Sequence, residues 1–369
     1  MDEPGMAANQ GAARSGGGRG RRRLRALGRI AGVLLLLLLA GEIGLRGFGP
    51  RLRFPTPCKW NPRVGCMLEP NLHEHFAVEE PFEFTTNAEG RRDRERGPKA
   101  PGARRILLLG DSVAFGVPVG DGETLAARLE ERLAGDRIEV VNAGSPYLRG
   151  TEQQLSYFID YGRALEPDLV LLEFTVQNDF FDNVHHYFWW RGPAGLERVA
   201  HSDPPTLKHR LVLASGSLPG VRWLDDHSWL FGAFRVAFWS ITHLPQPPPT
   251  GAGEWAGATE EVIARLGEEA RLAGAKLAIV VMPAPRTIEA LRQKQKPESD
   301  EDALIAAIAG RHGIPIYDPT PLLVAAPGDA PLLRDGHFTR RGNEVVAGEI
   351  AARIGAWMPA RASQAEAAP

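Results

Sequence analysis

Four short blocks hold residue types that could carry acyl-transfer chemistry. The first is Gly110-Asp111-Ser112, which follows the apolar run RILLL and precedes Val113-Ala114-Phe115-Gly116. A serine hydroxyl is a weak nucleophile until a base removes its proton, and the oxyanion formed on its target needs preorganised donors. The other blocks offer those parts. Val141-Asn142-Ala143-Gly144 ends a second apolar run with a glycine whose main-chain N–H is open to approach. Gln177-Asn178-Asp179 brings a side-chain amide, and Asp335-Gly336-His337 brings an imidazole with a carboxylate beside it. Each block alone has a plainer reading: a GDS serine can simply cap the next helix, and Asp335 can cap the last one.

The blocks matter together because the elements around them put them on one edge. Apolar runs at 105–109, 138–142, 168–174, 276–282 and 314–317 read as strands covered on both faces. Stretches at 123–133, 152–165, 254–273, 299–312 and 340–357 read as helices, the last started by Thr339. Strand and helix in alternation predict a parallel sheet with right-handed crossovers. The expected fold is therefore an α/β, three-layer α/β/α sandwich with a mainly parallel sheet of about five strands. Function in such sheets collects at the carboxyl ends of the strands, where all four blocks would meet.

In these residues and their order the sequence resembles the SGNH hydrolases, the GDSL-type esterases and lipases, and the resemblance covers residues 104–356. It implies that Ser112 is nucleophile and first oxyanion donor, that Gly144 and Asn178 complete the oxyanion hole, and that His337 is the base, oriented by Asp335. The segment Thr86-Asn87-Ala88-Glu89-Gly90-Arg91 is similar to one that precedes the catalytic domain in membrane-anchored bacterial members. Two positions depart from the family pattern. Val176 stands where the asparagine block often has glycine, and Arg334 stands three before the histidine, where the aspartate is usual.

The 369 residues are 43% hydrophobic and 24% charged, which excludes wholesale disorder, fibrous repeats and a multi-span membrane protein. The formal charge of -2 conceals an arm of +5 at residues 1–29, with seven arginines against Asp2 and Glu3, and -7 over the remainder. An acidic body offers no phosphate-tracking surface, so no nucleic acid partner is expected. After the arm, residues 30–41 read IAGVLLLLLLAG, then Glu42. Twelve helical residues reach about 18 Å, short of a hydrocarbon core of about 30 Å. Extension over residues 24–45 suffices, with Arg25 and Arg29 snorkelling at one end. An uncleaved signal anchor is expected, the alternatives being a cleaved signal or a buried core helix. The arginines place the N-terminus in the cytoplasm and the rest in the periplasm or outside the cell, on a bacterial inner membrane crossed once.

Domain boundaries follow: 1–29 a basic cytoplasmic arm, 30–45 the anchor, 46–103 an extracytoplasmic extension, 104–358 the hydrolase domain and 359–369 a disordered tail. Cys58 and Cys66 lie eight apart in a Pro- and Gly-containing stretch. An oxidising compartment permits a disulfide between them, and two free thiols are the alternative. Residues 180–253 interrupt the alternation with no obvious strand and with Trp189, Trp190, Trp223, Trp229 and Trp239. This insertion reads as a lid or binding element, or as a helical cap whose aromatics pack on one another. His185, His186, His201 and His209, with Asp182, match no closed ligand spacing, so no metal and no cofactor are expected.

The reading is an extracytoplasmic serine esterase acting through an acyl-serine on an ester-bearing glycan or lipid. An O-acyltransferase using the same acyl-serine, and a catalytically silent glycan-binding scaffold, are the alternatives. Residue types do not separate the first two, nor do they give acyl-chain length or oligomeric state.

Overall fold

The computed structural model describes residues 16–49, 58–76, 81–146, 150–184, 188–192, 195–199, 220–242, 252–297, 300–327 and 331–358. The chain divides into two units, Met1–Phe54 with Trp223–Trp239, and Pro55–Arg222 with Ser240–Pro369.

The first helix is α1 (Gly16–Phe48). Two antiparallel hairpins follow, β1 (Cys58–Asn61) with β2 (Gly65–Leu68) and β3 (His73–Phe76) with β4 (Phe82–Thr85). Strands and helices then alternate: β5 (Arg104–Leu109), α2 (Ser112–Phe115), α3 (Leu125–Leu133), β6 (Ile138–Asn142), α4 (Thr151–Tyr157), β7 (Leu169–Thr175) and α5 (Asp179–Asp182). Next come β8 (Trp189–Gly192), β9 (Gly195–Arg198), α6 (Val221–His227) and α7 (Trp229–Thr242). The alternation resumes with α8 (Ala252–Leu272), β10 (Lys276–Met282), α9 (Pro285–Arg292), α10 (Glu301–Arg311), β11 (Ile316–Tyr317) and α11 (Thr320–Ala325). A hairpin of β12 (Leu333–Arg334) and β13 (His337–Phe338) leads into α12 (Arg340–Trp357).

In the second unit β5, β6, β7, β10 and β11 form one sheet in the order β11-β10-β7-β5-β6, every pair parallel. Alternation of side chains along each strand divides the core in two. Leu107, Leu109, Val170, Leu172, Ile279 and Val281 pack with α4, α8 and α10 through residues such as Leu155, Val262 and Ile308. Ile106, Leu108, Leu169, Leu171, Ala278 and Val280 pack with α3 and α12 through residues such as Leu129, Val346 and Ile350. This is the α/β/α sandwich with five parallel strands that the periodicity predicts.

Chain direction across the sheet reverses between β5 and β7, since β6 lies outside β5 while the later strands add beyond β7. That switch point opens a crevice at the strands' carboxyl ends. Ser112 follows one of the two strands and Asn178 follows the other.

The insertion differs from the strand-free expectation, since β8 and β9 pair antiparallel inside it. Trp189 is 3% exposed, and its indole N–H donates to Ser156 Oγ at 2.9 Å. Two tryptophans in a row leave little period to read, and the strands are marked only by Gly192 and Gly195. His185, His186, His201 and His209, like residues 1–15 and 359–369, lie outside the described residues.

The extension folds rather than trailing: Cys58 and Cys66 are disulfide-bonded across the β1–β2 hairpin. In the first unit, α1 contains a stretch, Arg23–Phe48, long and apolar enough to cross a membrane. Its leucines 34 to 39 are 54% to 67% exposed. Glu42, the one acid in that stretch, accepts hydrogen bonds from Ser228 Oγ at 2.8 Å, Trp229 N at 3.0 Å and Leu230 N at 2.9 Å. It thus caps the otherwise unpartnered N–H groups that begin α7.

Candidate active site

Ser112 opens α2, with Asp111 as its N-cap: the Asp111 Oδ1 accepts from Val113 N at 2.8 Å. Gly110 is required by close approach rather than by an unusual φ. A Cβ there would stand 2.6 Å from both Ala114 Cβ and Glu173 Oε2. As first residue of its helix, Ser112 has an N–H with no carbonyl one turn earlier to bond.

Across the crevice, the Ser112 hydroxyl and His337 Nε2 are 2.9 Å apart. His337 Nδ1 lies 3.1 Å from the main-chain oxygen of Asp335. A carbonyl oxygen only accepts, so the Nδ1 must carry the proton, and the Nε2 is then a free acceptor for the serine hydroxyl. That tautomer is the one a general base requires.

The orientation expected from the Asp335 carboxylate therefore comes from its backbone. Asp335 has φ 46 and Gly336 φ 82, the paired positive values of a two-residue type I′ hairpin turn. The turn joins β12 to β13, with Arg334 paired to His337. It leaves the Asp335 side chain exposed and aims its carbonyl at the imidazole. Asp-Gly is a strong hairpin signal, so this was readable from the sequence as a turn, which competes with both the carboxylate and the helix-cap readings. The cap of α12 is Thr339, whose Oγ1 accepts from Gly342 N at 3.1 Å.

Gly144 sits at the same edge, fixed by Ala143 N to Leu108 O at 2.9 Å and Ser145 N to Gly110 O at 3.2 Å. A Cβ on Gly144 would overlap the backbone of Ala114 and Phe115. Its N–H is engaged in this conformation, donating to Asn142 Oδ1 at 3.0 Å. Asn178 is half-buried, and its Nδ2 donates to Asp111 Oδ2 at 2.9 Å. That bond fixes the amide at the crevice edge beside Ser112.

Beneath these residues lie groups that the motifs did not point to. Glu173 and Asp179 are fully buried and Asp111 is 5% exposed. Burial and the Asp111 charge hold both the Glu173 and the Asp179 carboxyls well above the ordinary carboxylate range. The available signal was a glutamate inside the otherwise apolar strand LVLLEFT. From the extension, Arg92 Nη1 donates to Phe115 O at 3.2 Å and Gly116 O at 2.8 Å, and Nη2 to Val119 O. A cation at the carbonyl end of α2 steadies the helix that carries the serine.

Strand order and four blocks gathered at the switch point fit the α/β/α architecture that the resemblance to SGNH hydrolases implies. No protein-family model matches the chain, and no curated protein matches it. Among solved structures it is similar to a lipase/acylhydrolase from Enterococcus faecalis, at 17% identity and TM-score 0.39 over 70% of this chain and 100% of that one. It is also similar to the psychrotrophic esterase EstA from Pseudoalteromonas sp., at 13% and 0.38 over 69% and 98%. A GDSL-like lipase from Bacteroides thetaiotaomicron matches at 14% and 0.35 over 70% and 91%. At such identities the chemistry is read from this site's own geometry.

Proposed function

We propose that the protein is a serine esterase, and the observation that carries this is the 2.9 Å contact of Ser112 Oγ with a His337 ring whose other nitrogen is held by the Asp335 carbonyl. Ser112 Oγ attacks the ester carbonyl carbon as its proton passes to His337 Nε2. Negative charge develops on the carbonyl oxygen, facing the Ser112 N–H and the Asn178 amide. Gly144 N–H joins them when it exchanges its bond to Asn142 for the oxyanion. Collapse breaks the ester C–O bond, His337 returns the proton to the leaving alcohol, and water then releases the acid by the same route.

The apolar α1 stretch, the basic residues before it and the Cys58–Cys66 disulfide support a membrane-anchored enzyme working outside the cytoplasm. There its substrates are O-acyl esters of a glycan or a lipid. The full-length chain in detergent, given p-nitrophenyl esters of increasing chain length, should release nitrophenol, and Ser112→Ala should remove the activity. Turnover unchanged in Ser112→Ala, or failure of a serine-reactive phosphonate to label Ser112, would overturn the esterase reading. Transfer of the acyl group to an added glycan in place of release as free acid would convert it to an acyltransferase.

A further inference from the structure

The reaction steps above leave unused the carboxyl cluster of Asp111, Glu173 and Asp179. The strongest charge acting on Glu173 is that of Asp111, and those acting most on Asp179 are Asp111, Glu173 and Asp182, all of them acids. Three buried neighbours of this kind cannot all be ionised.

The donors around the cluster decide which carboxyl keeps the charge. Asp111 accepts at both oxygens, from Val113 N at 2.8 Å and Asn178 Nδ2 at 2.9 Å. Glu173 accepts from Thr175 Oγ1 at Oε1, 2.8 Å, whereas no donor among the described residues reaches its Oε2. Asp179 accepts from Thr175 N at Oδ2, 2.8 Å, with none at Oδ1. A buried carboxyl oxygen that meets no donor and has a carboxylate beside it is the atom on which a proton is stable. Leu172 pairs with Leu109 in the sheet, so Glu173 stands beside Gly110 and next to the residue that carries the Asp111 carboxyl, a placement that favours a protonated Glu173. Gly110 passes directly over Oε2, the reason a side chain is barred there.

We infer that Glu173 is a neutral carboxylic acid donating to Asp111, and through Asp111 a positioning residue that holds the Asn178 amide and the first turn of α2 for attack on the ester. The inference rests on the esterase reading and deepens it. The shared proton does two things. It fixes the carboxylate that grips Asn178, and it spreads the Asp111 charge, which would otherwise oppose the oxyanion forming next to the same amide. Ionisation of Glu173 at high pH puts a second negative charge in that cluster, so activity falls on the alkaline side.

The test uses the full-length chain, Glu173→Ala and Glu173→Gln, the glutamine keeping an N–H donor toward Asp111. Glu173→Ala should lower kcat about 30-fold with KM changed less than about 2-fold, and Glu173→Gln should restore most of that loss while removing the alkaline fall. Infrared absorption of protonated carboxyl groups at neutral pH should weaken in Glu173→Gln, a reading independent of turnover and of whether Glu173→Ala folds. A Glu173→Gln enzyme as impaired as Glu173→Ala, an alkaline limb that survives in it, or an unchanged infrared band would overturn the proposal. A wild-type chain inert toward every ester would instead remove the esterase reading, and the infrared comparison would still decide the state of Glu173.

Discussion

The imidazole of His337 is oriented by the main-chain oxygen of Asp335, 3.1 Å from Nδ1, while the Asp335 carboxyl stays at the exposed tip of the β12–β13 turn. A residue that contributes only its main-chain carbonyl can take another side chain if the backbone keeps its shape. Asparagine tolerates the left-handed φ of 46 at this position. Asp335→Asn should therefore retain kcat within about 3-fold, where loss of a carboxylate that orients a catalytic histidine costs about 10⁴-fold. Steady-state kinetics on the purified variant decide between the two.

Arg92 ties the extension to the helix of the nucleophile. Its guanidinium is buried and donates to the carbonyls of Phe115, Gly116 and Val119 and, through Nε, to Asp121 at 2.8 Å. It also lies over the rings of Phe82, Phe84 and Phe115. Arg92→Ala removes a buried donor from those carbonyls, leaving Gly116 O only its bond from Val119 N, and should cost about 3 kcal/mol in denaturant unfolding and lower kcat more than it raises KM. An unchanged unfolding midpoint would contradict this role.

The Arg92 arrangement also shows how far the residues could be read in advance. Resemblance marks Thr86 to Arg91 as a block, and its Asn87 Oδ1 does fold the loop, accepting from Glu89 N and Arg91 N at 3.0 Å. The residue that reaches α2 is the next one, because only the folded hairpins bring it to Phe115. Continuous apolar runs gave the five strands within two residues at either end, since burial on both faces imposes composition directly. The Ser112–His337 pairing followed from topology. What stayed hidden was main-chain chemistry, namely the Asp335 carbonyl and the engaged Gly144 N–H, and the Glu173 proton, which depends on three residues from different elements.

Gly144 lies against the backbone of Ala114 and Phe115, so even one methyl group must displace α2 or the loop after β6. Displacement of the serine by a fraction of an ångström disturbs its bond to His337 and its alignment with the Asn178 amide. Gly144→Ala should lower kcat about 100-fold, with far-UV circular dichroism unchanged. Wild-type kinetics would mean that the loop relaxes away from α2 without moving Ser112.

The buried carboxyls set the pH dependence of stability. Glu173 and Asp179 have folded-state pKa values raised well above those of exposed carboxylates. Between the unfolded and the folded values, the native state holds a proton that the unfolded chain has released. The unfolded state then binds fewer protons, so stability from these groups is complete below the unfolded pKa and is lost as pH rises through the folded one. The slope approaches about 1.4 kcal/mol per pH unit for each such group. In denaturant unfolding from the acid side of the carboxylate range upward, wild-type stability should fall relative to that of Glu173→Gln, which cannot ionise, by one group's share. A Glu173→Gln curve that runs parallel to the wild-type curve over that window would mean that Glu173 is ionised in the folded protein, with its charge met by a donor.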